Sequence, residues 1–356
     1  MAAVNSGHAS AAVSPAAGYS LSVVVPVYNE EAVLPEFHRR LAAVLDGIAG
    51  TAEIVYVNDG STDAGMALLA DLHRSDPRVA VIDLSRNFGK EIAMTAGLDH
   101  AGGDAVVVID ADLQDPPEMI PAMLRAWQEG HDVVLMRRRS RAQESWLKKA
   151  TARAFYRAMG RMGTIDIPED VGDFRLLSAR AVAALRRFPE RSRFMKGLFA
   201  WIGFPCTEIE YDRDGRHAGE TKWNYWRLWN FALEGITSFS VVPLKIASYM
   251  GFLVALVAFA RGGYFIVKTL VYGDPVPGFP TLVVLVLFLG GLQLMALGVI
   301  GEYLARMFIE VKQRPLYLVQ RCLAPAQPLT VPAAGPAIDI AAAHALAATP
   351  GRWPSR

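Results

Sequence analysis

Two aspartates and a glutamine alternate with apolar residues directly after the apolar run at 104–109. The run is short and rich in valine, which predicts a strand buried on both faces of a sheet. On an extended backbone Asp110 and Asp112 would point the same way, and Gln114 would add an amide oxygen on that side. Hard oxygen donors of this kind suit Mg²⁺ or Mn²⁺, which take further ligands from water and substrate phosphates. The spacing therefore predicts a metal site for a phosphate-bearing substrate.

An isolated pair of aspartates at a strand end is more often a solvated turn or a helix cap. Here the string continues from Gln114 to Pro116 and Pro117, which stop the strand. Pro117 suits the first turn of a helix, and we predict that helix to about Glu129. The longer pattern favours a binding site.

Four strand and helix patterns alternate in the first part of the chain. Strands are predicted at 21–27, 53–57, 79–84 and 104–109. Polar residues follow each strand, and parallel strands end at the same edge of a sheet, where ligands bind in open α/β folds. We therefore expect the polar motifs to share one rim of a mostly parallel α/β sheet. The sequence has neither a G-x-G-x-x-G dinucleotide motif after the first strand nor a P-loop.

The motifs on this rim resemble those of family 2 glycosyltransferases with the GT-A fold, a Rossmann-like α/β sheet with flanking helices. The matching strings are VVPVYNEE at 24–31, VNDGSTD at 57–63, SRNFGKE at 85–91 and DADLQDPPE at 110–118. The resemblance implies a nucleotide-sugar donor, with its nucleoside held by Pro26, Tyr28, Glu30 and Asp59. It also assigns Lys90 and Asp110 to the donor, Mg²⁺ or Mn²⁺ to Asp110, Asp112 and Gln114, and a catalytic role to Asp112.

A second group of motifs resembles the polyprenyl-phosphate branch of this family. The resemblance assigns Arg137, Arg141 and Arg175 to the acceptor phosphate and Asp173 to catalysis. The segment R-x-x-G-x-x-K-aromatic adds Arg216 and Lys222 as donor-phosphate contacts. Without this resemblance, the charge run at 137–141 would be interpreted as a solvated face. Asp173 and Arg175 would then be interpreted as a surface ion pair. The Q-x-x-R-W string of processive synthases is absent, which favours transfer of a single sugar.

Asp173 has two open roles: it either takes a proton from the acceptor or only orients it. The second pKa of a phosphate monoester is about 6. The acceptor oxygen is then mostly ionised at neutral pH, which favours orientation. Catalysis would rest on positioning and on the metal at the leaving diphosphate.

The last third of the chain changes to a membrane composition. Residues 281–301 carry no charge, which is long enough to cross a bilayer, and a second span from 244 to 267 must include Arg261 near one end. Lys and Arg lie mainly outside the two spans, which places the catalytic domain in the cytoplasm. Tryptophans spaced by three or four residues in 221–243 predict interfacial amphipathic helices.

Composition and net charge narrow the classes of protein to which the chain can belong. The net charge of +1 argues against a nucleic-acid partner, and the 52% apolar fraction supports a membrane protein. Cys206 and Cys322 are far apart, which predicts reduced thiols. The expected organisation is a disordered tail (1–19), a catalytic domain (20–220), interfacial helices (221–243), a transmembrane hairpin (244–305, helices at about 244–267 and 280–303) and a cytoplasmic segment (306–356, disordered after about 323).

Taken together, the chain resembles bactoprenol glucosyltransferases and dolichyl-phosphate mannose synthase over about residues 20–320. The resemblance implies inverting transfer of one hexose, with UDP-glucose favoured, onto undecaprenyl phosphate at the inner leaflet of a bacterial plasma membrane. It also allows a homotetramer through the multi-pass membrane part. Two alternatives stay open: another donor (GDP-mannose, UDP-N-acetylglucosamine or an amino-arabinose nucleotide), and a non-catalytic scaffold that only binds nucleotide.

Overall fold

The computed structural model describes residues 18–139, 171–191, 193–212, 242–272, 278–327 and 329. The expected tail before residue 18 and the expected interfacial helices up to residue 241 lie outside these ranges. Within them the strands are β1 Ser20–Val27, β2 Thr51–Asn58, β3 Val79–Leu84, β4 Ala105–Val108, β5 Val133–Arg138, β6 Val171–Ser178, β7 Cys206–Tyr211 and β8 Val319–Leu323. The helices are α1 Leu34–Asp46, α2 Gly65–Ser75, α3 Lys90–His100, α4 Ile120–Gln128, α5 Ala179–Arg186, α6 Met195–Trp201, α7 Val242–Tyr272 and α8 Phe279–Lys312, with a 3₁₀ turn at Pro117–Met119.

The strands form one sheet in the order β7-β5-β6-β4-β1-β2-β3-β8. The four predicted alternating strands, β1 to β4, pair in parallel, so their carboxyl ends share one rim. β6 runs antiparallel to both β4 and β5, which brings the start of β6 to the same rim. The predicted α/β class with a mostly parallel sheet is confirmed.

Helices cover both faces of the sheet. On one face α1, α2 and α4 pack against alternate strand residues, and on the other face α3, α5 and α6 do the same. The valine-rich strands are buried on both sides because each face has its own helix layer. Two apolar cores therefore hold the strand ends in fixed positions at the rim.

Gly97 lets α3 lie close to the sheet, and its replacement is the first testable point. A Cβ at this position would stand 2.2 Å from Val24 Cγ1 and 3.1 Å from Val57 Cγ2. We expect Gly97→Ala to overpack this contact by about 1–3 kcal/mol, which lowers Tm by about 2–4 °C per kcal/mol. Thermal unfolding of the detergent-solubilised protein measures this. The control Gly47→Ala has only an ordinary contact, 3.5 Å to Val44 O, and should unfold like the wild type; an equal Tm for both variants would contradict the packing.

The edge strand β8 was not predicted, because its sequence VQRCL is only five residues long, contains Gln320 and Arg321 at its centre, and follows a long apolar helix. It pairs antiparallel with β3. Backbone hydrogen bonds flank it, from Ser85 N–H to Leu318 O at 2.9 Å and from Gln327 N–H to Pro77 O at 3.1 Å. The chain after α8 therefore returns to the catalytic sheet and covers the outer edge of β3.

The helices α7 and α8 are long and apolar enough to cross a membrane, by length and composition. The qualifying windows are Leu244–Arg261 and Phe288–Lys312, and none of either window is buried inside the protein. Large apolar side chains such as Phe259, 79% exposed, face outward. The predicted spans at 244–267 and 280–303 lie within these helices, and α8 continues to Lys312. A bilayer would cover this apolar surface.

Candidate active site

Two loops at the rim hold each other in place. After β1, the Glu31 N–H donates to Asp63 Oδ2 at 3.0 Å, and in return Ala64 N–H donates to Glu31 Oε2 at 2.8 Å. The Thr62 N–H donates to Asn29 Oδ1 at 2.8 Å, and Asn29 itself has a left-handed φ of 56°. The motifs at 24–31 and 57–63 are therefore locked together after β1 and β2.

The predicted nucleoside residues of β1 lie next to this lock. Pro26 is partly buried within β1, Tyr28 is 46% exposed, and Glu30 is partly exposed at the start of the following loop. Tyr28 therefore offers an aromatic face to a ligand at the rim.

Asp59 is almost fully buried and shapes the loop between β3 and α3. Its Oδ1 accepts from Phe88 N–H at 2.7 Å and its Oδ2 from Gly89 N–H at 2.9 Å. Burial raises the pKa of Asp59, although these two N–H donors and Arg86 act in the opposite direction. Both carboxylate oxygens thus serve the loop that carries Lys90, and contact with a nucleoside stays a prediction for this residue.

The acidic stretch forms a turn, so the expected extended backbone over 110–112 was wrong. β4 ends at Val108, and Leu113 has a left-handed φ of 61° with its side chain in the core. Burying Leu113 turns the chain sharply after Asp112, whose Oδ1 accepts from Gln114 N–H at 3.1 Å. The charges of Asp110 and Asp112 still lie close enough to interact. Gln114 is largely buried.

Lys90 joins the acidic turn to β6. Its Nζ lies 2.7 Å from Asp110 Oδ2 and 2.5 Å from Asp173 Oδ2. In the antiparallel register the last pair of β4 and β6 is Val108 and Arg175, and Asp110 and Asp173 each lie two residues beyond that pair. The ammonium therefore contacts two carboxylates, one just after β4 and one in β6.

The pKa values of this group follow from burial and charge. Burial raises the pKa of Asp110, as do the charges of Asp173 and Asp112, against the opposing effect of Lys90. Burial also acts to raise the pKa of Asp173, but Lys90 and Lys196 together hold it below its usual range. Asp173 therefore stays ionised at neutral pH.

Arg175 is buried within β6 and makes its contacts inside the protein. It is 3% exposed, its Nη2 donates to Gly172 O at 2.7 Å, and its guanidinium lies 3.8 Å from the centre of the Phe199 ring. Burial lowers the pKa of Arg175 to about 10. These contacts fix the start of β6, including Asp173, and contact with an acceptor phosphate stays a prediction.

The two arginines at the end of β5 separate onto opposite faces of the sheet. Arg137 is exposed and pairs with Glu208 at 3.1 Å. Arg138, which the sequence reasoning did not single out, hydrogen-bonds to Tyr211, and its charge interacts with Asp115 and Asp110. The Tyr211 hydroxyl donates to Asp115. Strand alternation from the apolar β5 was the available signal, since it places Arg138 with Met136 toward the acidic turn.

The remaining predicted site residues, Arg141, Arg216 and Lys222, lie outside the described residues. In the part of the chain that the structure describes, no three His, Cys, Asp or Glu side chains form a metal cluster. The predicted set has only two carboxylates and an amide. This set suits Mg²⁺ or Mn²⁺ when phosphate and water complete the coordination.

The surroundings of Asp110 agree with bound positive charge. The carboxylates of Asp110, Asp112 and Asp173 concentrate negative charge at one place on the rim, and Lys90 offsets part of it. Asp173 Oδ1 is buried and has no hydrogen-bond partner among the described residues. The residues present therefore fit a divalent cation with a phosphate-bearing ligand.

Glu91 makes the stability of this site dependent on pH. Burial and the nearby Asp173 raise the pKa of Glu91 to about 7. The pKa of a glutamate in the unfolded chain is about 4.3, so the folded protein binds this proton more tightly than the unfolded chain does. The stability that protonated Glu91 contributes is complete below about pH 4.3 and is lost as pH rises through 7. We expect Glu91→Gln to raise Tm at pH 8 by at least about 2 °C and to leave Tm at pH 5 nearly unchanged. Thermal scans across pH measure this.

The control for this prediction is Glu129→Gln, at an exposed position at the end of α4. It should leave the pH profile of Tm as in the wild type. A Glu91→Gln profile parallel to the wild-type profile from pH 5 to pH 8 would contradict the role of Glu91.

Two parts of the chain match known protein families. Residues 22–186 match the family described as Glycosyl transferase family 2, and residues 242–307 match the GtrB C-terminal hairpin. The first match covers the sheet from β1 to α5, and the second covers most of α7 and α8. The match also explains why the rim and the apolar helices occur in one chain.

Several relatives are similar over most of their length. A prophage-derived bactoprenol glucosyl transferase of Shigella flexneri is 48% identical over 85% of this chain and 97% of that protein. An uncharacterized glycosyltransferase of Synechocystis sp. is 53% identical over 84% of this chain and 94% of that protein. A prophage bactoprenol glucosyl transferase homolog of Escherichia coli is 48% identical, with coverage of 85% and 98%.

Proposed function

The chain belongs to glycosyl transferase family 2, and we propose that it transfers one glucose from UDP-glucose, with inversion, onto undecaprenyl phosphate. The observation that carries the proposal is the presence, in one chain, of a carboxylate rim and two helices of membrane length. The relatives named as bactoprenol glucosyl transferases support the acceptor and the sugar. The nucleotide of the donor follows from the family resemblance.

In this reaction an oxygen of the lipid phosphate attacks the anomeric carbon of glucose. A carbon–oxygen bond forms there as the bond to the nucleoside diphosphate breaks on the opposite face, so the configuration inverts. The products are the glucosyl phospholipid and UDP. The acceptor oxygen is mostly ionised at neutral pH, because a phosphate monoester has a second pKa of about 6. No proton transfer is then required, and Asp173 acts by orientation.

The residues of the rim divide the work. Lys90 holds Asp110 and Asp173 at fixed positions through its two ion pairs. When bound to Asp110, Asp112 and Gln114, Mg²⁺ or Mn²⁺ would stabilise the negative charge of the leaving diphosphate. The lock between the loops after β1 and β2 keeps Tyr28 at the nucleoside side of the rim. The site therefore acts by positioning and electrostatics.

We further propose that the catalytic part lies on the cytoplasmic side of a bacterial plasma membrane. Basic residues concentrate at or beyond the two ends of the hairpin, at Lys245, Arg306, Lys312, Arg314 and Arg321, against Arg261 and Lys268 nearer its loop. The organisation we propose keeps the catalytic domain at 20–220 and the hairpin at 244–305, with β8 as part of the catalytic sheet. Assembly of the protein as a homotetramer is a further proposal, which rests on the family resemblance alone.

The experiment that tests the function compares donors directly. The purified full-length protein in lipid nanodiscs receives UDP-glucose, GDP-mannose, UDP-N-acetylglucosamine or an amino-arabinose nucleotide, each with and without undecaprenyl phosphate. We expect lipid-dependent release of UDP from UDP-glucose at a rate at least about tenfold above the other donors, a margin of about 1.4 kcal/mol. Preference for another donor would overturn the assignment of glucose, and binding of nucleotide without turnover of any donor would indicate a scaffold.

A further inference from the structure

The segment before α6 connects the end of α8 to the carboxylate rim. The Arg191 N–H donates to Glu310 Oε1 at 2.7 Å, and Arg191 Nη1 donates to Arg314 O at 2.6 Å. Glu310 lies in the last turn of α8, and Arg314 follows the helix directly after its C-cap residue. Lys196 follows Arg191 by five residues, on α6. The chain that leads into α6 is therefore attached to the C-terminal end of the second apolar helix.

Contacts on two sides fix the position of α6. The Met195 N–H donates to Glu91 Oε2 at 3.1 Å, which ties α6 to α3. The ring of Phe199 lies under the guanidinium of Arg175, which ties α6 to β6. Lys196 stands between these two contacts along the helix. Its ammonium is held where its charge interacts with Asp173 and Glu91.

Lys196 differs from Lys90 in having no ion pair among the described residues, whereas Lys90 has two. It is partly buried, and this burial lowers its pKa. A cation held partly out of water without a carboxylate in contact is unfavourable unless a ligand supplies negative charge. Two of the three cations that the sequence assigns to the acceptor phosphate have other partners: Arg175 donates to its own strand, and Arg137 pairs with Glu208. The third, Arg141, lies outside the described residues.

We propose that the ammonium of Lys196 binds the phosphate of the polyprenyl phosphate acceptor beside Asp173. This inference rests on the proposed function, since it concerns the acceptor of that reaction. The phosphate carries about 1.5 to 2 negative charges at neutral pH, and Asp173 is ionised, so the two repel each other. Lys196 offsets this repulsion. Its helix follows a segment that is hydrogen-bonded to the end of α8, which suits a headgroup that arrives from the membrane.

The test measures binding of the two substrates separately, on the full-length protein in detergent micelles. The variants are Lys196→Met, Lys196→Arg and the control Arg187→Met, at an exposed position just after α5. We expect Lys196→Met to raise both the Kd and the KM for undecaprenyl phosphate by at least about tenfold. The Kd for UDP-glucose should change by less than about twofold, an energy below 0.5 kcal/mol in the same relation.

Charge and headgroup controls make the result specific. Lys196→Arg should recover most of the affinity for undecaprenyl phosphate, and Arg187→Met should bind it as the wild type does. Undecaprenol, which lacks the phosphate, should bind the wild type and Lys196→Met equally. If Lys196→Met does not fold, as judged by its Tm, Lys196→Gln takes its place with the same expected loss.

The proposal is overturned if the neutral variant binds undecaprenyl phosphate as tightly as the wild type, or if it loses UDP-glucose affinity to the same extent. The outcome is separable from the proposed function. If the wild-type protein binds undecaprenyl phosphate through Lys196 but transfers no sugar, the proposed function is wrong and the inference about Lys196 holds. If the enzyme is active and Lys196→Met leaves the Kd and the KM for undecaprenyl phosphate unchanged, only the inference about Lys196 is wrong.

Discussion

Asp112→Asn is expected to lower kcat for glucosyl transfer by at least about 100-fold, because metal binding at a leaving phosphate contributes several kcal/mol to catalysis. Asn keeps the size of the side chain and an oxygen that can accept from Gln114 N–H, the contact that Asp112 makes at 3.1 Å. It removes one of the negative charges that surround Asp110. The turn should therefore survive while its affinity for a divalent cation falls.

The measurement is the initial rate of lipid-linked glucose formation at saturating UDP-glucose, over a range of Mn²⁺ concentrations. The control Asp71→Asn removes the same charge from an exposed position on α2, where Asp71 pairs with Arg74. It should retain the wild-type rate. Lipid glycosylation that continues unchanged in Asp112→Asn would support a site that does not use this carboxylate.

Lys90→Met is expected to reduce kcat by about 100-fold or more, in the range seen when one preorganised electrostatic contact is removed from an active site. The variant leaves Asp110 and Asp173 without the ammonium that contacts both. Two neighbouring carboxylates without a cation favour protonation of one of them. Asp173 would then lose the charge and the fixed position on which acceptor orientation depends.

A double-mutant cycle with Asp173→Asn separates a shared role from two independent ones. If Lys90 acts through Asp173, the double variant should be little worse than the more damaged single variant. The matched control Arg39→Met removes an exposed cation of α1 that pairs with Glu36 and should keep its activity. Full activity of Lys90→Met, or multiplied losses in the double variant, would contradict the bridge.

The strands of the rim were predictable because their burial requires a distinct composition. The strand expected at 79–84 agrees with the observed β3, and the other three agree within two residues at each end. A strand covered by helices on both faces must be apolar along its whole length, and valine-rich runs meet that condition. The order of motifs along the chain then followed from the parallel connection of successive strands.

The turn at 110–114 shows why side-chain direction was harder to predict. The D-x-D spacing suggests an extended backbone through the two aspartates. In the structure the chain turns there, and the side chain of Leu113 is buried in the core. That tertiary demand forces a left-handed backbone at a leucine, which no local propensity favours. The two aspartates still share the site, because both follow the strand directly.

Long-range contacts account for the rest of what the sequence did not reveal. Nothing in the motif containing Lys90 indicates that its ammonium joins Asp110 to Asp173, since the three residues lie far apart in the chain. The position of Asp173 depends on β6 running antiparallel to β4, a feature of the sheet as a whole. β8 is also defined by its partner β3 rather than by its own composition.

The most direct measurement is transfer of radiolabelled glucose from UDP-glucose to undecaprenyl phosphate by the purified protein, with and without EDTA. We expect labelled lipid to form, to disappear when EDTA is added, and to return when Mg²⁺ or Mn²⁺ is supplied in excess. Glucose that never reaches the lipid, or that reaches it equally well in EDTA, would contradict a carboxylate rim that holds a metal and a sugar nucleotide for transfer to a lipid phosphate.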